Sequence, residues 1–140
     1  GKLLDENDLA AAYMTRANAY CLLTCNEDAL ADCARAVEIR ERLHWQGRLY
    51  DMNELLYCHL IKAGILAEMG DSVKEVAEYT KGITLCEELP VEKLSSVMPM
   101  LIKLYKRRAT TYCDDLHEME KAEADFARVR QLEEQNKRNS

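Results

Sequence analysis

Large apolar and small residues recur along this chain at helical spacing. Tyr13, Ala17 and Tyr20 stand at i, i+4 and i+7, which is one face of a helix. The same shape returns as His59, Ala63 and Leu66 and again as Tyr105, Ala109 and Tyr112, each set 46 residues after the last. The small member lets a second helix approach closely while the large ones flank it. A complementary trio follows each time: Ala29, Cys33 and Ala36, then Glu75, Tyr79 and Gly82, then Ala122, Phe126 and Val129. The last of these is displaced by 47 rather than 46 residues, so one extra residue is expected in the final connecting turn. Paired trios describe a helical hairpin. Three copies predict an all-α fold of six helices in three tandem antiparallel hairpins, over residues 5–45, 46–90 and 91–138 of a single domain spanning 1–140.

Local signals place the ends. Ser72 and Glu75 read as a capping box just after Gly70, a helix stop, and Asp115 and Glu118 repeat that logic in the third hairpin. Gly47 marks the break after the first hairpin and Pro90 the break after the second. Pro99 falls where the fifth helix would run, predicting a kink or a late start near Ser96. The tail from Gln131 is expected to fray.

Composition narrows the function classes. The chain has 140 residues, 48% apolar and 31% charged, with only two prolines and five glycines, which suits long helices. A net charge of −6 argues against nucleic acid, whose phosphates need a basic face. No apolar run approaches the roughly 18 residues that span a bilayer. The first residue is Gly1, read as the start of a piece of a longer protein. Six cysteines sit in helical patterns without a C-x-x-C pair, and Cys21 and Cys25 have no histidine at ligand spacing. They are expected to be structural thiols of a reducing, cytoplasmic compartment, with no metal and no cofactor. His59 occupies a packing position of the repeat, and His44 and His117 fall at turns. No nucleophile triad, phosphate loop or H-E-x-x-H appears, so the expectation is a protein that is not an enzyme.

The segments YMTRANAYCLLTCNEDALADCARAVEI (13–39) and YKRRATTYCDDLHEMEKAEADFARV (105–129) resemble the tetratricopeptide repeat. The middle copy departs from it, with Glu75 where the family places alanine and Leu66 where it has tyrosine. The resemblance covers nearly the whole chain and implies a right-handed superhelix of stacked hairpins. The usual period is 34 residues. The twelve extra residues lie between Ala36 and His59 and amount to about 18 Å of helix. AVEIRERL (36–43) looks like the extended repeats of kinesin light chains and of several bacterial signalling proteins.

In that family the first helix of each hairpin lines a concave groove that binds peptides. Carried over by position, the ligand-facing residues are Met14, Asn18 and Cys21 in the first hairpin, Tyr57, Leu60 and Gly64 in the second, and Lys103, Lys106, Arg107 and Thr110 in the third. The middle strip is apolar with one tyrosine and the last is basic. The resemblance therefore implies a protein or peptide partner, an acidic segment or a C-terminal carboxylate being the variety this surface suits. KLYKRRA (103–109) is also similar to the third-repeat helix of chaperone adaptors that clamp a terminal carboxylate, with Lys103, Arg107 and Asn18 matching, but Met14 and Ile61 departing. The bland alternative for the run at 106–108 is a solvated helix face. Two other functions fit the same architecture: a sensor or regulatory segment of a larger bacterial signalling or transcription protein, and a self-association module.

Overall fold

A computed structural model describes residues 5–139. These residues form six helices: α1 (Glu6–Leu22), α2 (Asn26–Trp45), α3 (Met52–Glu68), α4 (Ser72–Glu87), α5 (Val91–Asp114) and α6 (Met119–Arg138). No strand occurs among the described residues. The chain divides after Gly70 into two compact units, the first holding α1–α3 and the second α4–α6. In the first, α2 packs against both α1 and α3; in the second, α5 packs against both α4 and α6. The two helices of the expected middle hairpin thus belong to different units.

Aspartates start three of the helices. Asp5, Asp51 and Asp71 accept the backbone N–H of Asn7, Asn53 and Lys74 at 2.8, 3.0 and 3.1 Å. Each satisfies a donor that has no partner within the first turn. Asp71 corrects the expected capping box: Ser72 is already helical, and Glu75 turns inward to other partners. Met119 likewise opens α6 after Glu118, whose side chain makes no cap bond, while Asp115 ends α5. The fifth helix begins at Val91 rather than near Ser96 and continues through Pro99. Pro90 supplies its N-cap position, and Pro99 lies on the exposed face, where water can reach the carbonyl left without its donor. The sixth helix continues to Arg138, past the expected fraying point, with Leu132 fully buried beneath its last turns.

Three of the links are short. Residues 23–25 and 69–71 form three-residue connections and 115–118 a four-residue one. Each contains one left-handed residue: Thr24 (φ 57°), Gly70 (φ 79°) and His117 (φ 54°), spaced 46 and 47 apart. Only glycine adopts this conformation without a Cβ penalty, and a β-branched residue such as Thr24 is strained there. Thr24→Gly is expected to raise stability by about 0.5–1 kcal/mol, the relief exceeding the entropy that glycine adds to the unfolded chain. Thermal unfolding of the variant beside the parent checks this.

The packing face follows the trios. Ala17, Ala63 and Ala109 are each fully buried, as are Ala29, Cys33 and Ala36, and His59 is 1% exposed. Tyr13, Tyr20 and Tyr112 are half-buried, and Phe126 is exposed, with 37% of its surface open.

Two clamps hold the α1–α2 and α5–α6 hairpins, and neither was legible as a clamp. Arg16 donates to both carboxylate oxygens of Asp32 at 2.7 and 2.8 Å, and Arg108 to both of Asp125 at 2.8 and 2.8 Å. Each guanidinium also sits between two tyrosines of its own helix. Arg16 lies 5.8 and 5.9 Å from the Tyr13 and Tyr20 rings, and Arg108 lies 5.3 and 5.7 Å from those of Tyr105 and Tyr112. Stacking and a two-pronged carboxylate are the interactions that a planar guanidinium makes best. Arg108 therefore leaves the expected solvated run at 106–108: its side chain is 16% exposed.

Candidate peptide-binding surface

In the first unit, α1 and α3 bring two of the expected ligand-facing residues together. The Asn18 side-chain amide donates to the Tyr57 hydroxyl at 3.3 Å, and both residues are exposed. Cys21 is half-buried one turn further along α1; burial, then the Glu68 carboxylate, raise its thiol above the ordinary range. Gly64 is exposed, with nothing within 4 Å of where a Cβ would stand. Met14 and Leu60 are buried, at 4% and 8% exposure, and offer a ligand little surface.

In the second unit, Lys103, Lys106, Arg107 and Thr110 all lie exposed along one side of α5. Their spacing of i, i+3, i+4 and i+7 makes that a continuous strip. They are not equivalent. Lys106 is engaged by Glu133 of α6 at 2.8 Å, and the Thr110 hydroxyl donates back to the Lys106 carbonyl at 3.0 Å. Burial and then the Glu75 carboxylate push the Tyr79 phenol well above its ordinary range, and Arg107 works in the opposite direction.

A shallow depression of about 520 Å³ opens on the α6 side of Lys106, lined also by Glu123, Phe126, Val129, Arg130 and Glu133. The residues 93 positions earlier on α2, Cys33, Val37 and Arg40, are buried, whereas on α6 Phe126 and Arg130 are exposed and Glu133 is half-buried.

Three of the six thiols are placed as small hydrophobes, and Cys21, Cys25 and Cys113 are half-buried. Cys33, Cys58 and Cys86 are buried, and burial pushes Cys33 and Cys86 up to about 12. Cys58 accepts from the Arg40 guanidinium at 3.1 Å, yet burial still leaves its thiol raised. A thiol so far from ionising is a poor nucleophile and a poor metal ligand. Among the described residues, no three His, Cys, Asp or Glu side chains gather as a metal site, and no helix is long and apolar enough to cross a membrane.

No protein-family model, curated protein or solved structure matches this chain.

Proposed function

We propose that the chain is a non-catalytic, tetratricopeptide-like interaction module of the cytoplasm. In this reading its hairpins stack as a right-handed superhelix of period 46, and the exposed side of α5 binds an acidic peptide segment or a C-terminal carboxylate. The observation that carries the reading is the strip itself. Lys103 and Arg107 stand exposed one turn apart on a single helix, in a chain whose net charge is −6. Cations at i and i+4 lie about 6 Å apart, a span that one carboxylate or two neighbouring acidic side chains can bridge. Support for the repeat comes from the matched Arg–Asp clamps and the left-handed residues recurring at the same register. Asn18 and Tyr57 offer a polar, aromatic contact of the kind that reads a peptide chain.

The test is a pull-down with the whole chain against a variant carrying Tyr57→Ala, Lys103→Glu and Arg107→Glu, with circular dichroism confirming that the variant folds. A partner captured by the parent and lost from the variant is expected, and its binding region should be acidic or C-terminal. The same partners captured by both proteins would contradict the assignment.

A further inference from the structure

The basic strip has a built underside. Glu75, where the family resemblance expects alanine, is only 6% exposed. Its Oε2 accepts from the Tyr79 hydroxyl at 2.7 Å and from the Thr111 hydroxyl at 3.0 Å. These contacts fix how α4 meets α5. Glu75 faces Thr111, and a Cβ on Gly82 would stand 2.8 Å from the Leu104 side chain, so the two helices run antiparallel and close together. One turn on from Glu75 is Tyr79, and one turn back from Thr111 is Arg107. The register therefore sets Arg107 beside Tyr79, where its positive charge offsets part of the rise that burial and Glu75 impose on the phenol.

A phenol has a single proton, and here it goes to Glu75. The oxygen's lone pairs remain to accept from the guanidinium, and an oxygen already donating to a carboxylate is a better acceptor. An exposed arginine ordinarily spreads over many rotamers and gives up that freedom when it binds; one already held has less to lose.

We propose that Tyr79, backed by Glu75 and Thr111, is a positioning residue that holds the Arg107 guanidinium on the exposed face of α5 for two-pronged recognition of a ligand carboxylate. The inference rests on the peptide-binding reading of that face. It also gives the buried Glu75 a role that packing alone does not supply.

The probe is a fluorescein-labelled hexaglutamate peptide with a free C-terminus, titrated by anisotropy against the whole chain. Four proteins are compared: the parent, Tyr79→Phe, Arg107→Gln and the double variant. Tyr79→Phe is expected to weaken binding about threefold to tenfold in the parent, the size of one ordinary hydrogen bond, and to change nothing further once Arg107 is glutamine. Thr111→Val, which loosens Glu75 from the other side, should act in the same Arg107-dependent way by a smaller factor. Equal losses in both backgrounds, or no loss, would overturn the positioning role. A readout without ligand separates this role from the function it serves. The Arg107 Nε–Hε resonance should show restricted motion in the parent and lose it in Tyr79→Phe. A parent that does not bind the peptide overturns the carboxylate reading of α5 and the proposal with it. A parent that binds, with Arg107 motion unaltered by Tyr79→Phe, overturns the positioning role alone.

Discussion

Asp125→Ala is expected to destabilise the protein by about 3–5 kcal/mol, a large part of the 5–15 kcal/mol that holds a typical domain together. The size follows from burial on both sides of the pair, with side-chain exposures of 16% for Arg108 and 7% for Asp125. Without the carboxylate, Arg108 keeps the Thr80 hydroxyl at 3.1 Å and the faces of Tyr105 and Tyr112, but no counter-charge. The matching change in the first hairpin, Asp32→Ala, should cost less, about 1–2 kcal/mol, because Arg16 is 54% exposed and can turn to water. Urea unfolding of both variants measures the contrast; equal costs would mean that burial does not set the difference. The first pair also carries a pH dependence. Arg16 holds the Asp32 carboxyl below its usual range by a two-pronged hydrogen bond, so its contribution is complete above the unfolded carboxylate pKa of about 4. It is lost as the pH falls through the lower folded value. Asp32→Asn should remove that part of the acid sensitivity.

The second large effect is on binding. Lys103→Glu with Arg107→Glu is expected to weaken an acidic peptide about a hundredfold at low salt, roughly tenfold for each cation lost and reversed. The difference should shrink as ionic strength rises, since both side chains are exposed and their fields are screened. Lys106→Gln should cost threefold or less, since Glu133 already holds that ammonium at 2.8 Å. Anisotropy titrations at two salt concentrations give both comparisons. A hundredfold loss from Lys106→Gln, with the double reversal harmless, would move the site to the α6 side of the helix.

Much of the fold was legible because close helix packing leaves a one-residue signature. Ala17, Ala63 and Ala109 mark where a neighbouring helix comes nearest, and the slip from 46 to 47 appears as the fourth residue of the last turn. What escaped has a common cause. Arg108 within a run of three cations looks solvated until the partner helix is known, because its carboxylate is 17 residues away. Glu75 looked like a cap by its spacing from Ser72, yet the caps were taken by Asp71 and the backbone, and two hydroxyls made its burial tolerable. Pro99 reads as a kink or a late start because a chain pattern does not say which face of a helix meets water. The division after Gly70 was not legible either: the hydrophobic period is the same on both sides of it.

The candidate surface was legible in part. Position alone put Asn18, Tyr57, Lys103 and Arg107 on exposed faces, but it could not separate them from Met14 and Leu60, which are apolar residues at the same nominal register that turn inward. Nor could it show that Lys106 is already paired, since that depends on a side chain of another helix.

A site for carboxylate-bearing peptides on α5 is tested by a two-dimensional amide NMR titration of the whole chain with the hexaglutamate peptide. Saturable shifts are expected at Lys103, Arg107 and Thr110. Saturable shifts confined to Phe126, Arg130 and Glu133 on α6, or none at all, would contradict it.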